Sequence, residues 1–197
     1  FQPEVIYDYT FYGHDESTPH QFYEGDFQSF SYRLYYQQSL RQSLQDVYPN
    51  FGFIFEGNYY HTPTGQTDLG SMEMAQSYLF LPGFMANHGM RFYAGYQEKQ
   101  LGETYGFSDV IRYPRGWGKL NTIEMSSFAF DYKLPLFYPE WNVGGLVYLK
   151  RITTSVFADY ANLNGNYYED GEIVGTFSSA ISSYGVEMMG DMHFLRF

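Results

Sequence analysis

The chain has no cysteine, only two tryptophans, and half as many basic residues (11 Lys+Arg) as acidic ones (22 Asp+Glu). Without cysteine there is no disulfide framework and no thiolate to act as nucleophile or metal ligand; the absence suits an oxidising compartment, where unpaired thiols are a liability. A formal net charge of -11 excludes nucleic acid as a partner, which needs a basic footprint. It also disfavours polybasic attachment to anionic lipid. No apolar run approaches the ~18 residues of a membrane helix, so a chain like this crosses a bilayer only as strands. The five histidines, His14, His20, His61, His88 and His193, are scattered without ligand spacing.

What is abundant is aromatic. Of 197 residues, 22% are Phe, Trp or Tyr, with 22 Tyr and 19 Phe, although the chain is polar on average. These aromatics alternate with polar residues, the period of a strand with one apolar and one wet face. Val5, Tyr7, Tyr9 and Phe11 share a face against Asp8 and Thr10. Phe30, Tyr32, Leu34 and Tyr36 oppose Ser31, Arg33, Tyr35 and Gln37, and Phe51, Phe53, Phe55 and Tyr59 oppose Glu56 and Asn58. Met72 to Leu81 is strand-like with apolar residues on both faces. Met90, Phe92, Ala94 and Tyr96 alternate with Arg91, Tyr93, Gly95 and Gln97. Phe128, Phe130, Tyr132 and Leu134 oppose Ser127, Ala129, Asp131 and Lys133. Ile152, Val156, Ala158 and Tyr160 oppose Arg151, Thr153, Ser155 and Asp159. Last, Tyr184, Val186, Met188, Met192 and Phe194 oppose Ser183, Glu187, Asp191 and His193.

The pattern predicts an all-β fold of about eight antiparallel strands forming one unit over residues 1–197, a transmembrane β-barrel segment with long polar loops at one rim and shorter turns at the other. Several strands reach ~9–14 residues, the reach of a tilted membrane strand. Strands of a soluble β-sandwich average about 5–6 residues. Residues 163–176, acidic and rich in Gly and Asn, are expected to be a loop. Phe137, Tyr138 and Trp141 form an aromatic turn expected at the membrane interface, where an apolar ring with a polar tip is satisfied. The Phe1 and Phe197 ends suggest an excised piece.

A long polar interruption between two clear strands holds Tyr113-Pro114-Arg115-Gly116-Trp117. Pro114 fixes its own φ and Gly116 reaches φ > 0, which predicts a sharp tip carrying the planar donor fork of Arg115. The chain from Met90 to Phe197 resembles the BamA-type surface-antigen superfamily of outer-membrane barrels. That family carries a Val/Ile-Arg-Gly-aromatic tip in its sixth outer loop; here Pro114 stands in the aliphatic place, followed by Arg115, Gly116 and Trp117. An inward acid shortly before a proline follows as Asp131 and Pro135. The Phe-x-Asp-x-Gly strand reads Phe157, Asp159 and Ala161, and a Gly-Val-Glu segment is Gly185, Val186, Glu187.

The resemblance implies strands seven to fourteen of a 16-stranded barrel in a bacterial outer membrane, working in outer-membrane protein assembly or protein translocation. It implies outer-membrane lipid, unfolded client proteins and accessory subunits as partners. It also implies that Arg115, Gly116 and Trp117 fold into the lumen, with Arg115 on Asp131 and Asp159. The parity of the residues leaves a second arrangement open, in which Asp131 pairs across strands with Arg151 and Asp159 is solvated. Arg151, Glu187 and Asp191 are read as lumen-facing polar residues. No enzyme, cofactor or metal site is expected. His193, Asp191 and Glu187 share a face but no serine is placed as nucleophile, and Glu169, Asp170 and Glu172 lack EF-hand spacing. A passive porin-like channel and a soluble β-rich module that binds carbohydrate or a partner remain as alternatives.

Overall fold

A computed structural model describes residues 1–12, 25–40, 42–43, 45–63, 70–101, 106–120, 122–144, 146–169 and 172–194. Among the described residues, nine strands form one antiparallel sheet: β1 (Gln2–Tyr12), β2 (Gly25–Ser39), β3 (Gly52–His61), β4 (Gly70–Pro82), β5 (Gly89–Leu101), β6 (Glu124–Phe137), β7 (Trp141–Val143), β8 (Val147–Glu169) and β9 (Glu172–Phe194). Among the described residues there is no helix. Strands pair in chain order, except that β6 pairs β8 directly, while the three-residue β7 pairs the foot of β8 at Val147–Leu149. Since β9 occupies the other edge of β8 there, β7 continues the line of β6 below a bulge at Pro135/Phe137. β1 and β9 are the two edges and, among the described residues, no pairing joins them, so the described sheet is open.

One face is bare, and the other is covered over the middle strands. Residues opposite one another in register project to the same face, and the registers carry each predicted apolar set onto one side. Tyr7 lies opposite Phe30, Tyr32 opposite Tyr59, Phe92 opposite Phe130 and Val156 opposite Val186. Exposure on this outer face stays high, at 39% for Phe92, 71% for Val186 and 87% for Tyr184. Side chains this exposed are not sealed between two sheets.

The inner face carries the core. Met74, Met125, Ala161, Leu163 and Ile181 close around Ile111, which comes from the β5–β6 connection, with Tyr60, Tyr113 and Phe177 packed at the margin. The blurred pattern of β4 is explained here: Met72 and Met74 are buried on the inner face, Met74 in this cluster, while Leu79 and Leu81 face outward, opposite Phe92 and Met90.

Two expectations need correction. The strands among the described residues number nine rather than about eight, because Trp141–Val143 of the aromatic turn pairs with β8. Residues 163–176 are not a loop: β8 and β9 run as one long hairpin to Glu169 and Glu172. Composition misled there, since backbone hydrogen bonds need no apolar side chain; Leu163 is buried, and Gly165 lies so close under the Phe177 ring that a Cβ would meet it at 2.5 Å. The antiparallel order places the β6–β8 turn with Phe137 and Trp141, the β2–β3 connection and the β4–β5 turn at one rim (the turn rim). The β5–β6 connection with Arg115 and the β8–β9 tip rise from the other (the loop rim).

Candidate functional site

The β5–β6 connection does not stand away from the rim. It folds back along the inner face and is held at a root and a tip. At the root, Asp109 is a hub whose side chain is 0% exposed, 2.6 Å from the Lys99 ammonium, itself 1% exposed. Gln97 donates to the same carboxylate at 2.5 Å, the Tyr113 hydroxyl at 2.5 Å, and Thr122 through both its backbone N–H (3.1 Å) and its hydroxyl (3.3 Å). Burial pushes the Asp109 carboxyl up, but hydrogen bonds from Lys99, Tyr113 and the Thr122 amide outweigh it and hold the group below the usual aspartate value. Burial, and then the hydrogen bond to Asp109, push the Tyr113 phenol up to about 12. The Gln97 amide oxygen also accepts from the backbone N–H groups of Val110 (3.0 Å) and Ile111 (3.2 Å), so one strand side chain fixes the path of the loop.

Past the root, the Arg112 amide donates to the Tyr93 hydroxyl at 3.0 Å, and the Ser127 hydroxyl donates to the Arg112 carbonyl at 2.6 Å. The chain then turns. The Trp117 amide donates to the Pro114 carbonyl at 3.2 Å, and Gly116 sits at φ 85. That is a type II turn, which requires φ > 0 at its third position and hence glycine.

This turn points Arg115 into a set of carboxylates from three strands. One Nη of Arg115 bonds Asp131 on β6; its Nε lies 3.6 Å from Asp159 on β8 and 3.3 Å from Glu187 on β9. Its backbone N–H donates to Asp159 at 3.0 Å, and its guanidinium carbon lies 3.9 Å from the centre of the Phe157 ring. A planar cation stacked on an aromatic face while its edge bonds carboxylates is an arrangement lysine cannot reproduce. Asp131 and Asp159, 2% and 1% exposed at their side chains, are otherwise neutralised by Arg91 (2.8 Å to Asp131) and Arg112 (3.2 Å to Asp159). Three arginines thus face three carboxylates, which leaves no net charge at the tip. Trp117 is half exposed and touches the wall through its indole N–H, 3.3 Å from the Ser182 carbonyl.

The structure therefore brings together Arg115, Gly116, Trp117, Asp131, Asp159 and Glu187. The cross-strand alternative does not form: Arg151 pairs with Asp191, and its Nη1 donates to the Asp46 carbonyl at 2.9 Å. Register explains this, because Asp191 lies directly opposite Arg151 on β9, whereas Asp131 lies opposite Arg91 on β5. Phe137 and Trp141 are exposed at the turn rim, joined by Phe84 and Met85 of the β4–β5 turn. Tyr138 instead donates its hydroxyl to the Gln45 carbonyl at 2.9 Å.

The histidines sit apart. His61 stacks with Phe30, Tyr32 and Tyr59 on the outer face, His88 bonds the Tyr132 hydroxyl at 2.8 Å, and His193 stacks on Tyr148 rather than joining Asp191. His14, His20 and Asp170 lie outside the described residues. No group of three potential metal ligands occurs among the described residues. Sequence reading missed Arg91, Arg112 and the Lys99–Asp109 root. The inward parity of Arg91 was legible, but nothing in the spacing of Lys99 and Asp109 marks them as partners. No family model matches the chain, and comparison with curated proteins and with solved structures gives no match, so the resemblance to the surface-antigen superfamily rests on the residues themselves.

Proposed function

We propose that this chain is a stretch of a bacterial outer-membrane β-barrel of the BamA type, acting in the assembly or translocation of proteins at that membrane, with Arg115 as the clasp that holds the β5–β6 loop in the lumen. The observation that carries the reading is the inward fold of the Pro114-Arg115-Gly116-Trp117 turn onto carboxylates of three strands. The porin-like alternative, taken as a polar lumen without a tucked loop, does not account for this turn.

The bare outer face supports the membrane setting. On β6 it is apolar from Phe128 to Leu136, which at about 3.4 Å per residue and a tilt of about 40° spans roughly 20 Å, close to the ~25 Å band of such barrels. The band ends towards the loop rim at Glu73, Glu98 and Glu124, in register on adjacent strands, a row suited to headgroups rather than hydrocarbon. Lipid of the outer membrane then covers the outer face, and unfolded client chains and accessory subunits are the expected protein partners.

The test uses the full-length protein in its native membrane. Arg115→Ala should impair client insertion or export while barrel abundance stays near wild type, and Arg115→Lys should restore only part of the activity. Normal export by Arg115→Ala refutes the reading. A steady open conductance of the wild type marks a passive porin instead, and partition into the aqueous phase rather than detergent marks a soluble module.

A further inference from the structure

The β2–β3 connection at the turn rim also leaves its own edge of the sheet. Tyr48 lies on the inner face, with its ring 5.6 Å from that of Phe80 on β4, under the Arg91 guanidinium at 5.3 Å on β5, and 5.7 Å from the Lys133 ammonium on β6. Gly89 makes room for it: a Cβ there would stand 2.9 Å from the Tyr48 Cβ. Beyond β6, the Asp46 carbonyl accepts from Arg151 on β8 at 2.9 Å, and the Gln45 carbonyl from Tyr138 at 2.9 Å. From β3 to β8 is four strand spacings, about 19 Å along the sheet at roughly 4.8 Å each. A turn rooted on β2 and β3 reaches β8 only by crossing the inner face while the sheet curls around it. Asp46 and Val47 are buried by that crossing.

We infer that residues 45–50 are a second plug, closing the channel at the turn rim independently of the Arg115 loop. The inference rests on the barrel reading above. The two plugs share a footing. Asp131 accepts from Arg115 on one side and from Arg91 on the other (3.1 and 2.8 Å), and Arg91, with Lys133, is a cation over Tyr48. Releasing Arg115 leaves the Arg91–Asp131 pair and Tyr48 in place, so loss of the clasp alone does not open a path. Solutes pass only when both segments are displaced.

The experiment is single-channel recording on the full-length protein in planar bilayers, with two perturbations combined. Arg115→Ala frees the loop tip. Tyr48→Ala with Tyr138→Phe removes the ring under Arg91 and the bond to Gln45, two of the holds on residues 45–50, and leaves the lumen arginines, including Arg151 on Asp46, intact. Each alone should give less than a threefold rise in mean conductance, and the combination at least a tenfold rise. An opening by Arg115→Ala as wide as that of the combined variant overturns the inference, as does a combined variant that stays closed while retaining the heat-modifiable mobility of a folded barrel.

If the combined variant does not fold, Tyr138→Phe in a Ser155→Cys background serves instead. The native chain has no cysteine to interfere, and Ser155 is buried on the inner face between the plugs. A hydrophilic maleimide should label Cys at that position several-fold faster when Tyr138 is lost; an unchanged rate overturns the inference. Failure of the clasp reading is separate, because it appears as normal client export by Arg115→Ala whatever the conductance.

Discussion

Removing Lys99 should free the β5–β6 loop more than removing Arg115, although nothing in the sequence pattern marks Lys99. Lys99→Met deletes the ammonium paired with the carboxylate of Asp109, whose side chain is 0% exposed. Breaking a buried pair from one side costs about 3–5 kcal/mol. The lower figure applies, since Gln97, Tyr113 and Thr122 still donate to Asp109. About 3 kcal/mol is roughly a 150-fold rise in local opening.

Arg115→Ala removes the stack on Phe157 and the bonds to Asp131 and Glu187, but it strands no charge in a dry site. Asp131 keeps Arg91, and Asp159 keeps Arg112 and the backbone N–H of residue 115. The net loss is about 1–2 kcal/mol, roughly a 5- to 30-fold rise in opening. Amide hydrogen exchange at Val110 and Ile111, both bonded to Gln97, reads the root directly. Trypsin cleavage after Arg112 in folded protein reads the loop as a whole. Equal or greater protection at Val110 and Ile111 in Lys99→Met than in Arg115→Ala refutes the ranking.

Three further outcomes are expected. The phenol of Tyr113, raised from 10.0 in the free residue to about 12, keeps its proton in the folded loop; its contribution is complete below pH 10 and is lost as pH rises towards 12, so exchange at the loop amides should accelerate across that window, more weakly in Tyr113→Phe. The chain has two tryptophans, so Trp117→Phe leaves Trp141 as sole reporter, and brominated lipid should quench it at headgroup depth; in Trp141→Phe, quenching of Trp117 as strong as that would place the loop outside the lumen. Val156→Arg, on the outer face, should cost about 2–4 kcal/mol in folding into lipid, measured by urea titration in vesicles, whereas Ser178→Arg, level with the acidic row, should cost about 0–1.

The faces of the strands were legible from the chain alone. A period of two needs only covalent geometry, so the outward set of Tyr32, Phe92 and Val156 and the inward set of Arg91, Asp131, Asp159 and Glu187 could be read before any strand was paired. The tip was legible for the same local reason, since a glycine after arginine permits the φ of 85 that a type II turn requires. Alternation gives parity but not height along a strand. Register therefore decided that Asp131 meets Arg91 and Arg151 meets Asp191, rather than the two meeting each other. The long β8–β9 hairpin escaped a reading by composition because its stability lies in backbone pairing, to which Asn and Gly contribute as fully as valine. Only the tertiary structure brought Asp109 against Lys99, and Tyr48 under Arg91. A buried ion pair and a cation over a ring depend on how the connections cross the inner face of a curled sheet, and that crossing leaves no periodic trace in the chain.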